Sequence, residues 1–147
     1  MTGRHGTHGQ QLSVSLGTVV AASAAPYGYT VTLWSSGALL THFRGTPNVA
    51  DVFLFAAGAL IGFGLLGLAA HRSLQMNDPL PPGPERVIAG ILHWFAVGAA
   101  LGTVALLAEI QGWVAWPLCS FTGTVLYLLL ASLQLALLRA RSLRDEA

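Results

Sequence analysis

Long apolar runs separated by short polar breaks dominate the chain. Four runs, at residues 17–40, 49–70, 87–108 and 113–138, are each about 20 residues or longer. A hydrocarbon core about 30 Å thick takes about 20 residues of helix to cross. Lipid offers no partner to a bare N–H or C=O, so each run is predicted to be helical. The expected fold class is all-α, a four-helix transmembrane bundle.

The breaks fit this division. Residues 42–48 contain Gly45 and Pro47, and residues 109–112 make a tight connection. Residues 72–86 hold Pro79, Pro81, Pro82 and Pro84 beside Asn77 and Asp78, which predicts an extended linker. The Gly-, His- and Thr-rich start predicts a flexible N-terminus over residues 1–12. Residues 13–138 form the four-span domain and residues 139–147 a polar, charged tail. Arg4 and Ala22-Ser23-Ala24 resemble parts of a cleaved leader, but apolar character continues past them, so an uncleaved first span is expected.

Arginine placement gives an orientation. Arg4, Arg72, Arg86, Arg139, Arg141 and Arg144 fall on the side of both termini, and only Arg44 on the other. The positive-inside rule therefore predicts that both termini are cytoplasmic, N-in and C-in.

Composition sharpens the picture. The charged fraction is 9% and the hydrophobic fraction 54%, against about 25% charged in soluble domains. A chain of 147 residues has too little interior to hide that much apolar surface from water. This excludes a soluble globular enzyme, a disordered chain and a nucleic-acid binder, and leaves the lipid bilayer as the main partner. The net charge of +1 gives no reason to expect a polyanion. All seven basic residues are arginine, a compositional hint of a high-GC bacterial genome and hence of a bacterial plasma membrane. Cys119 is the single cysteine, so neither an internal disulfide nor a cysteine-only metal site can form.

Helices associate in lipid through small residues that let backbones approach. Gly58 and Gly62 in the second span, and Gly98 and Gly102 in the third, are the predicted packing positions. Both pairs sit in the same string, Phe-Ala-x-Gly-Ala-x-x-Gly, at residues 55–62 and 95–102. Such faces suit a homo-oligomer or a membrane-protein partner. Trp113 and Trp116 are placed for an interfacial belt at the outer end of the fourth span.

Candidate chemistry is sparse. The first span carries Pro26, with a kink expected near Ser23, and Tyr27, Tyr29, Thr30, Thr32, Ser35 and Ser36. Such a helix either lines a wet path or bonds its hydroxyls back to its own carbonyls. Ser120, Thr124, Tyr127, Ala131 and Gln134 form the only polar stripe of the fourth span. His93 is the only ionisable residue well inside a span and so a functional candidate by position. The candidate cavity lining is therefore Tyr27, Tyr29, Thr30, Ser35, His93, Thr124, Tyr127 and Gln134. Haem between His71 and His93, or a quinone at His93, is a remote alternative; no cofactor and no metal site is expected. No nucleophile with a partnering base can be assembled from the inner residues, so no enzyme is expected. His42, Arg44, Asp51 and Glu109 gather at the outer face by topology, where Glu109 is expected to meet Arg44.

The Pro-Tyr-Gly-Tyr-Thr stretch at residues 26–30, the glycine-rich second span and the arginine-only tail together resemble small four-span integral membrane proteins of high-GC actinobacteria. That resemblance implies the architecture and carries no functional residue. The leading expectation is a non-enzymatic accessory or structural membrane subunit acting through helix packing. A small oligomeric channel or transporter lined by the first helix comes second, and a haem or quinone redox protein third.

Overall fold

A computed structural model describes residues 26–71 and 85–145. Four helices and no strand occur among them: α1 over residues 26–44, α2 Val49–His71, α3 Glu85–Leu107 and α4 Ala115–Asp145. The flexible N-terminus, the expected kink near Ser23 and the centre of the proline linker lie outside the described residues. Among the described residues, two helices are long and apolar enough to cross a membrane, at Val49–Ala70 and Ala115–Leu137.

Helix ends follow local chemistry. Nothing in Thr41-His42-Phe43-Arg44 breaks a helix, so α1 runs on past the expected limit at residue 40. It stops where Gly45 turns left-handed at φ 82° and bonds the Thr41 carbonyl at 2.9 Å, a conformation that glycine adopts without steric cost. Asn48 then caps α2. Its Oδ1 accepts from the Asp51 N–H and the Asp51 Oδ2 accepts from the Asn48 N–H, both at 3.0 Å, a reciprocal capping box. The link between α3 and α4 turns at Gly112, φ 99°. Glu85 and Arg86 already belong to α3 rather than to the linker. The charged tail is likewise not separate from the last span, because α4 continues through Arg139 and Arg141 to Asp145; arginine, alanine and leucine are good helix formers.

The contacts run alternately up and down. Gly37 faces Phe55 and Tyr29 faces Phe63, so α1 and α2 are antiparallel. Gly58 meets Pro117 and Gly62 meets Phe121, so α2 and α4 run together. Cys119 reaches the Val104 carbonyl at 3.8 Å, while Tyr127 packs near Ala96 and Val97, so α3 opposes α4. One cluster ties all four helices at one end: Leu40, Val104, Ala108, Trp116 and Cys119, flanked by Leu54 and Phe55. A second joins α1, α3 and α4 farther along: Ala96, Val97, Ala100, Tyr127 and Ala131, with Tyr29 and Val31.

The repeated octapeptide adopts two opposite settings. In α2 it turns Gly58, Ala59 and Gly62 inward against α4. In α3 it turns Ala96, Val97 and Ala100 inward and leaves Gly98 and Gly102 facing open space. The inward set starts two residues earlier relative to Gly58, and two residues of helix rotate the string by about half a turn. Small residues pack α3 as well, but they are its alanines.

Trp116 also departs from expectation. It lies buried in the first cluster, while Trp113 is exposed. Trp116 begins the inward stripe of α4 that continues through Cys119, Ser120 and Gly123, whereas Trp113 sits in the preceding turn.

A methyl group added at Gly58 would overlap the Pro117 carbonyl and Ser120 Oγ, whereas one at Gly64 would meet nothing. Gly58→Ala is expected to cost about 1–3 kcal/mol through overpacking. Gly64→Ala should be neutral or slightly stabilising, by at most about 1 kcal/mol from helix propensity. Reversible unfolding in mixed micelles reads both; equal effects would contradict this packing.

Candidate functional site

Polar residues concentrate where α1 and α4 approach each other. Gly28, Thr32, Ser36 and Leu40 recur every four residues on α1, and all four are buried. Opposite them, Ser120, Gly123, Thr124 and Tyr127 are buried on α4. A side chain at Gly123 would touch Ser36 Oγ and Val104, and one at Gly28 would strike the Tyr127 hydroxyl. Both glycines therefore set how closely the backbones come together.

Local hydrogen bonding neutralises most of this seam. Thr32 Oγ1 donates to the Gly28 carbonyl at 2.8 Å and Ser36 Oγ to the Thr32 carbonyl at 2.7 Å. Ser120 Oγ donates to the Pro117 carbonyl at 3.1 Å. Outside the seam, Thr30 does the same to Pro26, Thr41 to Gly37 and Thr103 to Ala99, each at 2.9 Å. A hydroxyl that bonds the preceding turn removes its own polarity from the helix surface.

Tyr127 is the hub. It is 1% exposed, its hydroxyl bonds the backbone at Tyr29, and its ring lies 6.2 Å from that of Tyr29. His93 meets it edge-on, with ring centroids 5.8 Å apart, a favoured aromatic geometry. The Gln134 side chain lies within hydrogen-bonding reach of His93. His93 Nε2 and Thr124 Oγ1 are buried with no hydrogen-bond partner.

The eight candidate lining residues thus divide. Tyr29, His93, Tyr127 and Gln134 come together, and Thr124 lies one turn from Tyr127 on the same face. Tyr27 and Thr30 point away, both exposed. Ser35 is half-buried on a shallow groove shared with α3. Sequence reasoning gave weight to the number of hydroxyls on α1 and passed over the Gly28–Thr32–Ser36 seam. Its signal was the strict four-residue spacing, the rule already applied to the other helices. Of the glycine pairs, Gly58 and Gly62 face α4, while a Cβ added at Gly98 or Gly102 would meet nothing within 4 Å among the described residues.

The chemistry open to this cluster is limited. No group of three or more metal-ligating side chains occurs among the described residues. At the far end, Arg44 donates to the Gly112 carbonyl at 3.1 Å, tying α1 to the α3–α4 turn through a backbone carbonyl rather than through Glu109. No protein-family model, curated protein or solved structure matches the chain.

Removing only the Tyr127 hydroxyl, as Tyr127→Phe, is expected to cost about 0.5–1.5 kcal/mol. Tyr127→Ala also empties the hub and should cost about 3–5 kcal/mol. Mixed-micelle unfolding distinguishes them; a Phe variant as unstable as the Ala variant would show that the hydroxyl, not the ring, holds the helices together.

Proposed function

We propose that the chain is a four-span integral protein of a bacterial plasma membrane, with both termini cytoplasmic, that acts as a non-enzymatic accessory or structural subunit through helix packing. One observation carries this reading: the polarity of the fold is inside-out. Thr32, Ser36, His93, Ser120 and Thr124 are buried, while Trp34 is 78% exposed, Phe53 72% and Phe95 70%. Val49–Ala70 has a mean hydropathy of 2.3, yet only 17% of its apolar centre is buried. A core helix of a soluble protein combines such hydropathy with burial; this one combines it with exposure, which suits a lipid solvent. The arginine asymmetry supports the orientation.

Packing is favoured over a conducting path by what fills the space beside α1. Thr32 and Ser36 give their protons to their own helix, and Tyr127 closes on Gly28. With Gly58 and Gly62 used inside the chain, the glycines left open for a second copy or a partner are Gly98 and Gly102 of α3 and Gly64 and Gly67 of α2, and the repeated Gly-x-x-x-Gly spacing favours α3.

Two outcomes are expected. The protein stays in the membrane pellet after alkaline carbonate washing, and Gly98→Leu abolishes its crosslinked assemblies without unfolding the monomer. Release by carbonate would overturn the membrane reading. Unchanged crosslinking would overturn assembly through α3.

A further inference from the structure

His93 is an ionisable side chain set into the contact between helices. It is 9% exposed, its ring stands edge-on to Tyr127, and its Nε2 has no hydrogen-bond partner. Gln134 of α4 lies within hydrogen-bonding reach of the ring. The Tyr127 hydroxyl is engaged with the backbone at Tyr29 and lies against Gly28. The groups that face the imidazole are therefore Tyr127 and Gln134 from α4. Tyr29 of α1 stands behind Tyr127, and Phe63 of α2 behind Tyr29. All of them are uncharged near neutral pH. Charged positions lie off along the helix axes. Glu85 and Arg86 come about two turns before His93 on α3, and Arg139 just over one turn beyond Gln134 on α4.

We infer that His93 is an acid-sensitive latch: its neutral ring, packed on Tyr127, holds α3 against α4, and protonation from the cytoplasmic side releases that hold. The inference rests on the membrane reading above, which keeps water from the ring and sets it about two turns from the cytoplasmic end of α3. The neutral ring fits its surroundings, because one nitrogen is in reach of Gln134 and the edge packs on Tyr127. The protonated ring is a double donor. Its second N–H would stand where Nε2 now has no partner, and its charge would be buried without a counter-charge. Turning the ring out toward water relieves both faults, but it also takes away the edge contact that Tyr127 makes with α3. Tyr127 is the residue on which Ala96, Val97 and Ala100 pack, so the loss spreads along α3. That helix is also the one proposed above to meet a second copy or a partner. The latch thus couples cytoplasmic acidity to the hold of the bundle on its assembly helix.

The test is reversible unfolding in mixed micelles at about pH 7.5 and about pH 5.5, for the wild type and for His93→Gln. An imidazole in an unfolded chain takes up its proton near pH 6.5. The opened state then binds a proton that the packed state does not, so stability is present above about pH 6.5 and falls below it. The unfolding constant of the wild type should rise by about tenfold more than that of His93→Gln across the interval. Groups such as His42 and Glu109 contribute equally to both proteins and cancel in the comparison. Equal pH dependence in the two, or a wild type no less stable in acid, overturns the latch. If His93→Gln does not fold, nitrogen NMR of the histidine-labelled wild type decides. One of the five imidazoles should stay neutral at about pH 5.5 while the helices remain packed, and protonation of all five in the packed protein overturns the latch. Failure in a protein that still needs detergent leaves the membrane reading intact; a protein soluble without detergent removes both.

Discussion

On the membrane reading proposed above, hydrocarbon supplies no hydrogen bonds, and that deficit governs the molecule. Every backbone amide must find its partner within the chain, which leaves little but helix. Hydroxyls at the centre of the bundle are turned inward or satisfied locally. Two residues of α1 do both at once. Thr32 and Ser36 are buried and also bonded to the preceding turn. Once polarity is handled this way, the outward surface is free to be leucine, valine and phenylalanine. On that reading the helices are held together by close fit, since lipid is as apolar as their side chains.

Close fit requires small residues in register, and α4 is the helix against which the register is set. Gly58 and Gly62 admit Pro117 and Phe121 from α4 on one side. Ala96, Val97 and Ala100 of α3 admit Tyr127 on another. Gly28 of α1 receives the Tyr127 hydroxyl between them. One large amphipathic ring, surrounded by glycine and alanine, thereby joins three helices. His93 and Gln134 add a polar contact between α3 and α4 at the same level. Interhelical hydrogen bonds of this kind contribute only about 0.6 kcal/mol on average, so the ring and its small neighbours carry most of the fit.

The helical class was legible from hydropathy alone, because a run of about 20 apolar residues has few other solutions. The start of α2 was legible in principle too: Asn48-x-x-Asp51 is a capping box, although Asp51 had drawn notice only as one of the outer-face residues. Helix rotation was not legible. Phe-Ala-x-Gly-Ala-x-x-Gly reads identically in α2 and α3, yet one copy turns its glycines in and the other turns them out. The choice belongs to the partner helix: Pro117 and Ser120 fit Gly58, while Tyr127 fits Ala96. The polar cluster was half legible. The α4 stripe predicted Thr124, Tyr127 and Gln134 as inward, but on α1 the count of hydroxyls obscured their spacing. Trp116 shows the same limit, since an interfacial and a buried tryptophan are indistinguishable until the rotation of the helix is known.

The central claim is that lipid, entering and leaving four times, is the solvent of this fold. Paired reporter fusions test it most directly: a cytoplasm-active fluorescent protein and a periplasm-active phosphatase, each joined after Gln111 and after Ala147. The account predicts phosphatase activity only from the Gln111 fusion and fluorescence only from the Ala147 fusion. Phosphatase activity at Ala147, or fluorescence at both positions, would contradict it.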